Sequence, residues 1–215
     1  MASTFPNGST FAISAALTGS KVVTAITNAS PGVAASTAHG FANGKILVGT
    51  FPSRLDQRPF RVANTATNAF DLEGIDTAST AIFPSGFGVG TVLEAGTFTS
   101  LSQTTDVAAS GGEQQFANWT FIEDGRQRQR PTFKNARALT LSLHYDPALA
   151  WHAALLAADL AGDVRVLRVT LPTGRLLYYS VYVGFDGQPS ITINENMGVT
   201  ATFALACPDV TSYAS

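Results

Sequence analysis

Cysteine is almost missing from this 215-residue chain: Cys207 stands alone. That excludes an intramolecular disulfide and any cysteine-built zinc cluster. Charge is also scarce, at 13% of residues, about half the usual share for a globular protein. Lys and Arg total 13 against 15 Asp and Glu, a net charge of −2. A generic nucleic-acid binder needs a strong basic excess, which this chain lacks. At 45% hydrophobic residues it is not a disordered chain either, since that requires low hydrophobicity and high charge. Long apolar runs are missing too. The longest, Ala148–Ala158, is broken by His152 and falls short of the roughly 20 residues a membrane helix needs. The start, Met1 to Pro6, has neither the basic residues nor the apolar run of a secretion signal. The expectation is a protein kept, or assembled, in the cytoplasm.

Catalytic signatures are absent as well. His39, His144 and His152 lie far apart in sequence, and the carboxylates are scattered singly, with no pair at a spacing suited to acid–base work. There is no Gly-x-Ser-x-Gly elbow, P-loop or His-Glu-x-x-His. Gly86–Gly90 is glycine-rich but lacks the Lys-Ser/Thr and the helix of a phosphate cradle. The expectation is a non-enzyme without metal or cofactor. His39 reads as a turn-fixing residue, His144 and His152 as packing residues, and Cys207 as a partly buried thiol.

What the chain does have is alanine and threonine, 32 and 25 residues, and only 3 Lys against 10 Arg. Few charges and many small or β-branched side chains suit a surface later covered by further copies, because a freely diffusing monomer usually carries more charge. The length allows one ordinary domain and a small second one.

Residues 22–97 read as a small β-module. Val22–Thr27, Lys45–Thr50, Arg58–Ala63 and Ala69–Glu73 are strand-like, each bounded by Gly, Pro, Asn or Ser turn chemistry. Phe83–Gly90 reads as a loop leading out of it. Residues 1–21, with apolar pulses around Phe5 and Phe11–Leu17, and residues 98–215 form the main unit. There Leu139, Leu141 and Leu143 alternate with polar residues, as do Leu167–Leu171, Leu177–Val183 and Val199–Leu205, the period of half-buried strands. Asp146-Pro147 offers an N-cap and a first-turn proline, and Gly162 a stop. These signals predict one helix over about 147–160. The fold class is therefore mainly β: an antiparallel sandwich or barrel with one helix, plus a small inserted all-β module. Tyr178, Tyr179 and Tyr182 fall on both faces of one strand.

Residues 113–134 carry the run Arg126-Gln-Arg-Gln-Arg130. Asp124-Gly125 is a two-residue hairpin signal. With that turn, cross-strand numbers sum to 249. Glu123 faces Arg126, Phe121 faces Arg128 and Trp119 faces Arg130, all on one face. An arginine over an exposed aromatic ring is worth about 0.5–1 kcal/mol, so the hairpin itself accounts for the arginines. An isolated two-stranded ribbon is marginal in water. An assembly arm, loose in the monomer and ordered by a partner, fits the pattern better than DNA contact.

Ala153–Ala158, Gly162–Gly174, Tyr182–Gly187 with Val199–Leu205, and the arm ending in Arg130–Ala136 together resemble the major tail tube protein of long-tailed, non-contractile, lambda-like bacteriophages. The likeness lies in element order over about 98–206, with residues 1–21 supplying the first strand. Asn28–Gly44 and Asn68–Asp76 are similar to a small β-barrel module that recurs in phage tail proteins and, in related form, as a half-domain of ubiquitin-activating enzymes. Residues 22–97 contain no Cys, so no ligase chemistry carries over. The resemblance implies hexameric rings stacked into a hollow tube through which DNA passes, with tape-measure, terminator and distal tail proteins as partners. It implies a virion tail location after assembly in the host cytoplasm. A DNA lumen should not bind phosphate, which suggests the neutral faces Thr140/Ser142 and Thr200/Thr202, with Asp186 or Glu195 nearby, as its lining. The other readings are a β-rich module gripping a carbohydrate or host surface, and a different ring protein such as the tail terminator.

Overall fold

The computed structural model describes residues 7–52 and 54–214. The apolar pulse around Phe5 lies outside them. The strands are β1 (Thr10–Ser14), β2 (Leu17–Val23), β3 (Ala25–Ile26), β4 (Val33–Ala35), β5 (Ile46–Thr50), β6 (Pro59–Ala66), β7 (Ala69–Leu72), β8 (Gly90–Ala95), β9 (Phe98–Leu101), β10 (Thr104–Gly111), β11 (Gln114–Thr120), β12 (Gln127–Lys134) and β13 (Arg137–His144). The helix α1 (Ala150–Ala161) follows, then β14 (Arg165–Thr170), β15 (Leu176–Gly184), β16 (Gly198–Leu205) and β17 (Thr211–Tyr213). The architecture is mainly β, with one α-helix among the described residues.

The main sheet runs β10-β13-β16-β15-β14-β1-β9, with β17 added along β15, and its ladders are antiparallel. Its two terminal strands, β9 and β10, are joined only by Ser102 and Gln103. A link that short forces the ends of the sheet toward each other, so the sheet curls around its own apolar face. The result is one core. Ile13 and Leu101 from one end meet Leu141, Leu167, Val181 and Phe203 from the rest, and Trp151, Leu155 and Ala158 of α1 close over them. The alternation predicted from Leu139–Leu143 and Val199–Leu205 is the alternation observed.

The helix starts later than the sequence suggested. Asp146 Oδ1 accepts the N–H of Ala148 at 3.1 Å in a local turn. The cap position falls instead to Leu149, which makes no side-chain cap bond. The stop is as read: Gly162 takes the left-handed conformation at φ 64°, and its N–H reaches Ala158 O and Asp159 O.

A second sheet, β2-β8-β5-β6-β7-β4-β3, gathers strands from between β1 and β9. Pairing of Leu17–Val23 with Gly90–Ala95 places residues 17–21 with this sheet. Phe60, Phe70, Leu47, Leu55 and Leu72 fill its own core. In the Gly86–Gly90 run, Gly86 takes a left-handed φ of 85° and the other two glycines are set by packing. A Cβ on Gly88 meets Ile26 at 2.5 Å, and one on Gly90 meets Thr50 O at 2.1 Å. His39 fixes a loop as expected: its Nδ1 accepts the Phe41 N–H at 3.0 Å and its Nε2 lies 2.8 Å from Ala66 O.

Candidate functional site

β10 and β13 continue past the barrel as the two-stranded ribbon β11–β12. The bend is built by Gly111 (φ 77°) and Gly112 (φ 86°). A Cβ on Gly111 meets Ala136 O at 1.9 Å, so the chain crosses here only without a side chain. Beyond the bend every residue of β12 is exposed, and β11 is exposed from Phe116 onward. Ile122 is 104% exposed, with Phe116, Phe121 and Phe133 each at half or more. Among the described residues, none covers this ribbon beyond Gln115.

The ribbon's register differs from the one expected. Trp119 faces Arg128, not Arg130, and Arg130 faces Ala117. The turn spans 121–126 instead of Asp124-Gly125 alone. The cause is local. Asp124 bonds both the Arg126 N–H, at 2.9 Å, and the Arg128 guanidinium, which draws the turn into a wider loop. The slip is two residues, so side-chain parity is unchanged. Trp119, Arg128 and Arg130 still share a face, and the Arg128 guanidinium still stacks on Phe121, 5.1 Å from its ring centre. Glu123 and Gly125 lie in the exposed turn, and Glu123 forms no ion pair among the described residues.

The second candidate surface lies on the barrel's outer face. Thr140 sits directly opposite Thr202, and Ser142 opposite Thr200. Asp186 joins Thr200 and Thr202 around an open concavity of ≈ 490 Å³ that also includes Asp159. Glu195 stands on the 185–197 loop, which is exposed from Ser190 onward, and is not part of that lining.

Following the ladder, Thr202 pairs with Gly184, and two residues on Tyr182 pairs with Ala204. Ser180 then pairs with Val166, and Tyr178 with Arg168. All these residues share one face of the sheet. At the Tyr178 and Val166 end it is covered by Ile46, Val48 and Ala95 of the second sheet. The other end of that face stays exposed at Thr200, Thr202 and Tyr182. Tyr179 packs on the main core, Tyr178 on the second sheet, and Tyr182 stays 40% exposed.

No local pattern in the chain announces the contact between β17 and the second sheet. Tyr213 reaches Arg61 and Glu73 there, and Thr211 Oγ1 donates to Pro59 O. Among the described residues, no group of three or more His, Cys, Asp or Glu is placed to hold a metal. None of these residues forms a helix long and apolar enough to cross a membrane.

A family model described as phage tail tube protein matches residues 51–215. The chain belongs to the phage tail tube protein family. This tail tube protein is a structural component of a virion tail. It is similar to a chain in the virion of a native gene transfer agent particle, at 12% identity over 54% of this chain and 89% of that one, with a TM-score of 0.41. Another similar chain is in the tail of an empty gene transfer agent particle refined with C6 symmetry, at 14% identity, 56% and 89% coverage and TM-score 0.43. A third is in the terminating cap of an anti-feeding prophage tube, at 16% identity, 54% and 83% coverage and TM-score 0.34. A search of curated proteins finds no match to this tail tube protein.

Proposed function

We propose that the chain assembles into stacked hexameric rings whose shared bore is the conduit for DNA ejection, and that it does no catalysis. The observation that carries this reading is the ribbon Gln114–Lys134. It projects from a well-packed barrel with both faces bare and with aromatic side chains at its tip. A ribbon of this kind is marginal alone, and a neighbouring copy supplies the missing cover. Trp119, Phe121, Glu123, Asp124, Gly125, Arg126, Arg128 and Arg130 form the ring-stacking arm. The outer edge of β10, whose residues are nearly all exposed, is a strand edge that a second copy in the ring closes.

The bore is lined by Thr140, Ser142, Thr200 and Thr202 with Asp186 at their margin, a neutral-to-acidic surface that does not hold phosphate. Glu195 stands on the loop beyond them. The module, read as 22–97 and extended by strand pairing to 17–95, is an insertion facing away from the bore. Tape-measure, terminator and distal tail proteins meet the tube ends, and assembly takes place in the host cytoplasm. A carbohydrate-gripping module without assembly leaves the bare ribbon unexplained.

Negative-stain microscopy of the purified chain at rising concentration tests the reading. Rings and tubes are expected. A variant with 113–134 replaced by two glycines is expected to fold and to form no tubes; long tubes from that variant would sink the role given to the arm. Thr202→Lys tests the bore, since ejection at the wild-type rate with a cation there counts against the lining.

A further inference from the structure

A cleft of ≈ 850 Å³ opens where the arm, the second sheet and the end of β16 meet, lined by Arg54, Lys134, Arg137, Leu205, Cys207 and Asp209 among others. Its acids are engaged: Asp209 lies 3.6 Å from Arg58, and Asp56 accepts the Phe51 N–H. Its cations Arg54, Lys134 and Arg137 are exposed and make no ion pair among the described residues. Ala136, Leu205 and Ala206 supply an apolar lining between them. The cleft therefore offers three unpaired positive charges around an apolar patch.

The opposite pattern stands elsewhere on the same chain. The 185–197 loop carries Ile191 at 80%, Ile193 at 88% and Met197 at 46% exposure. Its charges are Asp186 and Glu195, and residues 176–215 contain no Lys or Arg. The loop feeds into β16 at Gly198, while the cleft lies at the other end of that strand, after Leu205. Eight residues of strand span about 25 Å, so a loop cannot reach the cleft of its own chain.

We propose that the cleft seats the 185–197 loop of a second copy, with Ile191 and Ile193 against the apolar lining and the Glu195 carboxylate beside Arg137. The proposal rests on the tube reading and gives that assembly a second end-to-end contact beside the arm. The two patches differ and sit at opposite ends of one strand, so the contact is heterologous and propagates instead of closing on itself. Complementary charge fixes its polarity. A nucleic-acid phosphate satisfies the cations but leaves the apolar lining and the two exposed isoleucines uncovered.

A charge swap tests it. Glu195→Arg and Arg137→Glu are each expected to raise the critical concentration for tube formation about tenfold, with wild-type thermal unfolding of the monomer. The double variant is expected to return to within about threefold of wild type. A double variant no better than the worse single, or singles that assemble normally, overturns the docking while leaving the tube reading standing. Rescue of Arg137→Glu by Glu123→Arg instead makes the arm tip the occupant and overturns the assignment to the loop. Loss of DNA-duplex retention in Arg137→Glu with unchanged assembly also overturns it. Wild-type chain that stays monomeric at every concentration overturns both readings together.

Discussion

The Tyr213 hydroxyl accepts the main-chain N–H of Arg61 at 2.8 Å, across 152 residues of chain. The same oxygen donates to Glu73 O at 3.0 Å. The Arg61 guanidinium lies over the Tyr213 ring, 4.4 Å from its centre, and is held there by the Glu73 carboxylate through two bonds. One side chain of the last strand thus fastens two neighbouring strands of the second sheet to the barrel.

Tyr213→Phe leaves an N–H and a carbonyl unpaired at a partly buried joint. A loss of about 1–3 kcal/mol in urea unfolding is expected. Hydrogen exchange should quicken first at residues 59–63 and 72–75. An unchanged exchange pattern there would show that the joint does not depend on the hydroxyl.

The same residue predicts alkaline behaviour. Burial, the largest cause, pushes the Tyr213 hydroxyl up to about 12 from its ordinary 10.0. The folded state keeps the proton where the unfolded state releases it. This contribution is whole below pH 10 and is lost as pH rises toward about 12. It amounts to about 2–3 kcal/mol. Tyr213→Phe cannot ionise, so its stability curve should fall less steeply across that window than the wild type's.

Gly111→Ala forces a side chain into the left-handed bend at the root of the arm, against Ala136 O at 1.9 Å. Backbone displacement is unavoidable, at a cost of about 1–3 kcal/mol. Because the arm is separate from the barrel core, the larger effect should be on assembly: fewer tubes by microscopy with only a modest drop in Tm. Wild-type tube yield would rule out a fixed arm angle as a requirement.

Trp151 is 1% exposed, and its indole Nε1 has no hydrogen-bond partner among the described residues. Trp151→Ala should cost about 3–5 kcal/mol. Trp151→Phe should cost much less, because it removes an unpaired donor along with some packing. Equal losses from the two would mean that the whole indole is needed.

Ser180 is completely buried, and its Oγ has no hydrogen-bond partner among the described residues. Ser180→Ala should leave stability unchanged or raise it by up to about 1 kcal/mol, because burying an unpaired hydroxyl is unfavourable. A clear fall in chemical-denaturation midpoint contradicts this.

Much of the fold was legible along the chain. Strands such as Leu139–His144 and Val199–Leu205 announce themselves because each has one face in the core and one outside it. Short or edge strands carry no such alternation. Val33–Ala35 and Thr104–Gly111 are of this kind, and Gly90–Ala95, though interior, buries only every third residue. Arm residues Trp119, Phe121 and Arg128 could be placed on one face because a two-residue slip keeps parity. The exact partner of Trp119 could not be placed, since Asp124 widens the turn through bonds that local pattern does not encode. The helix start was misplaced for a similar reason: Asp146 spends its side chain on a turn before the helix.

Sequence by itself determined the class of the molecule. Alternating apolar residues, scattered turn chemistry and scarce charge require antiparallel β-structure, because those patterns bury only as half-covered strands. Tertiary structure decided what meets what. The curl of the sheet depends on joining its two end strands through Ser102 and Gln103. The clasp of Tyr213 on Arg61, and the separation of the Glu195 loop from the Arg137 cleft by the length of β16, depend on how distant segments pack. Such contacts are set by the energy of the whole packed arrangement, which no local window of residues contains.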